Sequence, residues 1–213
     1  MGIKKNASKM KCQYKIFGIS FIIIGILLIG VYQYRISREN KLDNESVDIY
    51  FEKQEEAVEY ITNDEIIEEK EESKESSEPL YNYIGVLEIP SINFKRGFLD
   101  MNDKNNTVSK NIQVLKDSDY PDVVNGNLII AGHSGSGRIA FFKNLYTLSS
   151  GDESYIYYKN KKYIYKMIES YEVQKTGIVP IKNYSNKTIL TLITCSQDEE
   201  KQIVFINELI EVI

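Results

Sequence analysis

The chain of 213 residues has no tryptophan, one histidine and two cysteines, and no arginine beyond position 138. Each shortage narrows what the protein can do. Cys12 stands in a lysine-rich N-terminal segment and Cys195 lies near the other end, so nothing in their placement asks for a disulfide, and Cys195 needs another reason for its position. His133 is the chain's entire supply of imidazole. Positive charge is scarce as well: the formal net charge is −5 and the last 135 residues are neutral, which removes the electrostatic motive for binding nucleic acid.

The charge that is present is strongly segregated. Residues 1–38 carry seven basic and no acidic side chains, residues 39–78 carry sixteen acidic and four basic, and residues 79–213 carry fifteen of each. Between Ile16 and Val31 the sequence IFGISFIIIGILLIGV is uncharged. With Tyr14, Tyr32 and Tyr34 at its ends it reaches the roughly 20 residues that span a bilayer, with the tyrosines at headgroup depth. A buried core helix is seldom this long and uniformly apolar. A cleavable signal peptide would end in small residues, whereas this run ends VYQYRISR, so an uncleaved anchor is expected. The lysines before it predict a cytoplasmic N-terminus and a cell-membrane protein whose bulk lies outside the cytoplasm. The expected organisation is a cytoplasmic tail at 1–13, a transmembrane helix at 14–34, an acidic extracytoplasmic linker at 35–78 and a folded domain at 79–213. Within the linker, Glu68–Glu78 reads as an extended, self-repelling spacer that cannot offset its ordering entropy by burial. Val47, Phe51, Val58, Ile61 and Ile66 recur loosely at helical spacing, from which part of the linker is expected to be helical.

From Tyr81 on, short β-branched and tyrosine-rich runs alternate with turn residues: NYIGVLEIP, NLIIAGH, SYIYY, KYIYKMIESYEV, TILTLITC and QIVFINELIEVI. Only GRIAFFKNLYTL reads as a short helix. So many strands in about 135 residues indicate a mainly β domain, a barrel or a sandwich. Two of these runs end alike. NLIIA is followed by Gly132, His133 and a glycine-rich turn, and TLIT by Cys195 and a polar turn. Alone, each residue is ordinary, a strand-end histidine or a small buried hydrophobe. Together, at accessible strand ends, a thiol and an imidazole are the minimal equipment for acyl transfer through a thioester.

The stretch AGHSGSGRIAFFKNL, the following LSSGDESYIYYKNKKYIYKM, and TLITC 62 residues after the histidine closely resemble the sortases, membrane-anchored cysteine transpeptidases of Gram-positive bacteria. YIGVLEIPSINFKRGF looks like the first strands of that family, so the likeness covers roughly Tyr81 to Val212. It implies a closed eight-stranded β-barrel with short helices. It also implies that Cys195 attacks a C-terminal sorting signal of the LPxTG or NPxTN kind on a surface protein and forms an acyl-enzyme. His133 would act as general acid and then general base, and Thr194 would flank the nucleophile in the substrate and oxyanion site. The acceptor would be an amine of a peptidoglycan precursor or of a pilin. The lack of a second hydrophobic span and of a long insertion points away from a pilus-polymerising type.

One departure from the family stands out. Its usual arginine on the strand after the cysteine is missing, and Gln202 or, one residue earlier, Lys201 takes its place. A glutamine amide donates without charge, whereas lysine brings charge without a planar fork. Losing the charged fork would cost about 1–3 kcal/mol of transition-state stabilisation. This leaves two other readings: a weakly catalytic sortase-like module that binds peptides or assembles with a partner, and a peptidase whose thioester goes to water. No cofactor is implied. Asp198, Glu199 and Glu200 lack the spaced ligand geometry of a cation loop, so no metal is expected, and Arg138 receives no role.

Overall fold

The computed structural model describes residues 3–62, 81–182, 184–198 and 200–213, with the side chains of 18–55 in the first of these segments. The spacer Glu68–Glu78 lies outside the described residues. The chain divides into two compact units, residues 1–41 and 42–213.

A single helix, α1, runs Ile3–Thr62. In the first unit its described side chains from Ile19 to Val31 are nearly all exposed and apolar, among them Phe21 at 71% and Leu28 at 66%. By length and composition this part of α1 suffices to cross a membrane.

The second unit is built on an eight-stranded sheet. The strands are β1 (Gly85–Ile89), β2 (Phe94–Phe98), β3 (Gln113–Val114), β4 (Asn127–Ala131), β5 (Glu153–Tyr158), β6 (Lys161–Gln174), β7 (Ile189–Cys195) and β8 (Lys201–Val212). They lie in the order β2-β1-β5-β6-β8-β7-β4-β3. All pairings are antiparallel except β4 with β7. Two register shifts in the long β6–β8 ladder, after Ile164 and after Met167, supply the curvature that rolls the sheet up. The barrel is nearly closed. Where β2 faces the approach to β3, Asn111 Nδ2 donates to Gly97 O (2.9 Å) and its carbonyl accepts from Arg96 Nε. Side chains thus bridge the seam.

Alternation along the strands explains the core. Leu128, Ile130, Leu190, Leu192 and Phe205 fill the interior together with Leu87, Phe98 and Ile156. The intervening Ile129, Ile189, Ile193, Val204 and Ile206 form a second cluster under Val173, Val179, Ile181 and Tyr184. Strand β7 is therefore buried on both faces, which is why TILTLIT reads as an unbroken apolar and β-branched run.

Two features differ from the sequence-based expectation. The predicted helix GRIAFFKNLYTL is a succession of turns ending in a 3₁₀ turn at Leu145–Thr147. Gly137 sits at φ +132, outside helical space. The N–H of Phe142 goes to His133 O (2.9 Å) instead of to the carbonyl four residues back. Apart from α1, the helices among the described residues are this turn and the 3₁₀ turn Pro90–Ile92. The second difference concerns residues 42–55. Read as linker from sequence, they are helical, as expected of part of it, but they also pack on the barrel: Val47 and Tyr50 are buried with Tyr83, Val86 and Leu99, and Phe51 packs alongside. The i, i+3, i+4 spacing of Val47, Tyr50 and Phe51 gives this stretch one apolar face.

Candidate active site

Strands β4 and β7 are parallel neighbours, with Ala131 opposite Ile193. His133 and Cys195 each lie two residues beyond that last pair, so parallel pairing brings their backbones to the same end of the sheet. Three hydrogen bonds fasten the two strand ends. Gly132 N donates to Ile193 O (3.0 Å), Thr194 Oγ1 to Gly132 O (2.9 Å), and Ser134 Oγ to Cys195 O (2.9 Å). Gly132 is required here: a Cβ would come within 2.7 Å of the buried Phe142 ring. Phe142 in turn closes the loop onto His133 O through its own N–H.

Cys195 is a half-buried free thiol. It lines a cleft of about 980 Å³ with Ser134, Phe142, Tyr146, Thr194 and Ile203, and with the charged Lys143, Glu172 and Lys175 at its sides. His133 is also half-buried. It is not among the cleft-lining residues, nor is Gln202. The cleft opens on the side of Thr194, Ile203 and Glu172, which are cross-strand neighbours on one face. By alternation Gln202, the cross-strand partner of Cys195, belongs to the other face, while Cys195 at the strand end lines the cleft.

The two candidates for the missing arginine are separated by register. Gln202 pairs directly with Cys195 across β7 and β8 and shares its face. Lys201 points the opposite way and is occupied by Asp198 (3.0 Å) and Glu172 (3.5 Å). Hydrogen bonding and charge from Asp198 raise the Lys201 pKa, and Asp198 is correspondingly lowered by Lys201 and by the Glu200 N–H. Asp198 thus has a cation and a turn N–H as partners, and Glu199 lies outside the described residues. Thr194 is 3% exposed and its one hydroxyl proton goes to Gly132 O, so the side chain ties β7 to β4 and has no donor left for an oxyanion.

Sequence reasoning missed Ser134, Glu172 and Lys175. Ser134 directly follows the histidine and could have been tested as a partner of the cysteine loop. Glu172 and Lys175 come from β6 and its end, and only the strand order brings them to the cleft.

A free thiol and an imidazole at adjacent strand ends of a nearly closed eight-stranded barrel are the equipment of a thiol-dependent acyl-transfer enzyme. Comparison with known proteins agrees. The family profile described as Sortase domain matches residues 87–209, more than half of the chain. The chain belongs to the sortase family, and its enzyme class is transpeptidase. Sortase A of Bacillus anthracis is 26% identical over 204 residues, covering 92% of this chain and 94% of that protein. Among solved structures, a lid mutant of sortase A from Corynebacterium diphtheriae is 22% identical with a TM-score of 0.54, covering 61% of this chain and 70% of that one. Sortase C of Clostridium perfringens, solved with the C-terminal cell wall sorting motif, is 24% identical with a TM-score of 0.53, covering 61% and 71%. At these identities the structural likeness speaks for the fold.

Proposed function

We propose that the protein is a membrane-anchored sortase that cleaves a C-terminal sorting signal on surface proteins and passes the acyl group to an amine. The observation that carries this reading is the placement of His133 and Cys195 at the matched ends of parallel strands, with the thiol at a cleft.

In the proposed cycle the Cys195 thiolate attacks the scissile carbonyl of an LPxTG-like or NPxTN-like peptide. The tetrahedral intermediate collapses as the C–N bond breaks, and His133 gives its proton to the departing amine, leaving a thioester. An amine of a peptidoglycan precursor or of a pilin lysine then attacks. His133 takes the proton from it, and the thiolate leaves. In this reading Gln202, the cross-strand partner of Cys195, donates an amide N–H to the oxyanion. Substituting a neutral amide for the family's charged fork makes a slower enzyme by roughly ten- to a hundredfold. The exposed apolar part of α1 serves as the anchor, N-terminus in the cytoplasm, with the barrel outside at the cell wall of a Gram-positive bacterium.

The test is to incubate the detergent-solubilised full chain with LPxTG and NPxTN peptides, with and without an amine acceptor, and to follow adducts by mass spectrometry. The reading expects an acyl adduct on Cys195, absent from Cys195→Ala, and an amine-dependent ligated product. Cleavage at the same rate without ligation would make the protein a peptidase. No adduct with any sorting peptide would leave a peptide-binding module.

A further inference from the structure

Arg96 is one of only two arginines beyond position 38, and it lies on β2, well away from the cysteine loop in sequence. Its side chain is 12% exposed. The guanidinium pairs with Asp43 of α1 (NH1 to Oδ2, 2.8 Å), and Nε donates to Asn111 Oδ1. Its carbon lies 3.7 Å from the centre of the Phe141 ring. The other oxygen of Asp43 accepts from the Tyr83 hydroxyl. Burying such a pair is costly unless further hydrogen bonds support it, and Tyr83 and Asn111 each supply one. Burial, and after it the charge of the Asp43 carboxylate, raises the Tyr83 pKa.

What the assembly holds is the loop after His133. Phe142 anchors that loop inward, its ring buried in the core and its N–H on His133 O (2.9 Å). The next residue back, Phe141, is half-buried at the edge of the core, and its ring lies against the Arg96 guanidinium. The two ends of the brace are thus the described helix segment that begins at Leu42 and the carbonyl of the histidine itself.

We propose that Arg96, oriented by Asp43, is a positioning residue for His133, acting through the face of Phe141. The membrane-proximal helix segment thereby becomes part of the catalytic apparatus. A flat guanidinium suits this task, because it can stack on an aromatic ring while its edge keeps two hydrogen-bonded partners. A loop displaced by about an ångström is enough to lower a rate severely. The inference rests on the reading of His133 and Cys195 as the catalytic pair.

The experiment needs no sorting peptide. Alkylation of Cys195 by iodoacetamide is followed in the detergent-solubilised full chain at neutral pH, with the Cys195 peptide quantified by mass spectrometry so that Cys12 does not interfere. His133→Ala should slow alkylation, and Phe141→Leu and Arg96→Lys should slow it roughly three- to tenfold in an otherwise folded chain. Combined with His133→Ala, neither substitution should slow it further, because a positioning effect has nothing left to act on. Asp122→Asn, which removes an exposed ion pair with Lys159, is the control expected at the wild-type rate. If His133→Ala itself alkylates at the wild-type rate, the catalytic-pair reading falls. If His133→Ala is slow but Phe141→Leu and Arg96→Lys are not, or if their effects simply add to that of His133→Ala, the positioning role is overturned.

Discussion

Gln202 lies directly across the β7–β8 ladder from Cys195, and Lys201 lies on the opposite face with two carboxylates around it. Under the proposed mechanism, register therefore favours Gln202, an uncharged donor, over Lys201. Replacing Gln202 by alanine should lower kcat for peptide cleavage roughly tenfold, the effect of one lost oxyanion donor of ordinary strength. Gln202→Arg should match or exceed the wild type. Lys201→Ala should stay within about twofold, because an exposed lysine ion pair contributes little. Steady-state kinetics on the three variants decides between them, and a large loss in Lys201→Ala alone would reverse the assignment.

Thr194 and Gly132 are joined by a buried hydroxyl-to-carbonyl bond of 2.9 Å. Thr194→Val keeps the shape and deletes the donor, which leaves the Gly132 carbonyl buried without it. The expected cost is about 1–3 kcal/mol of stability, read as a lower midpoint in urea unfolding. Activity should fall as well, because the same bond aligns the strand ends that carry His133 and Cys195. Unchanged stability would mean that water replaces the hydroxyl.

The strands, and the run ends at which His133 and Cys195 stand, were legible in the sequence for a physical reason. A strand buried on both faces must be continuously apolar, as around Leu190 and Leu192, and the run stops where the strand end becomes accessible, at the half-buried Cys195. The docking of α1 was not legible. Asp43 is one of sixteen acids between residues 39 and 78, and nothing local separates it from the solvated ones. Its burial depends on Tyr83 and Arg96, which arrive from other segments. The loop after His133 looked helical by composition, yet the tertiary bond from Phe142 to His133 O and the conformation of Gly137 decide its path.

The docked segment makes a further prediction about where the stable domain begins. A fragment of residues 79–213 loses Val47 and Tyr50, each worth about 1.5–3 kcal/mol of burial, and leaves Arg96 nearly buried without its carboxylate. Compared with a fragment of residues 39–213, its melting temperature should be lower by roughly 10–20 °C. Thermal unfolding followed by circular dichroism makes the comparison. Melting temperatures within about 3 °C of each other would show that the helix contact adds nothing to stability.

Tyrosines at this same contact give the fold an alkaline limit. Burial, helped by the Glu88 carboxylate that accepts its hydroxyl (2.9 Å), pushes Tyr157 up to about 12, and burial raises Tyr83 further still. In the unfolded chain a tyrosine titrates near 10, so between about pH 10 and 12 the unfolded state has released protons that the folded state still holds. The neutral tyrosines therefore contribute their full share below pH 10, and that share is lost as pH rises toward 12. Urea midpoints of the 39–213 fragment should fall steadily across this window. Tyr157→Phe, which has no proton to lose, should make the fall shallower while keeping the T-shaped ring contact with Phe51. An equally steep fall in Tyr157→Phe would mean that the alkaline sensitivity arises at other residues, with Tyr83 and the buried Tyr165 the next to substitute.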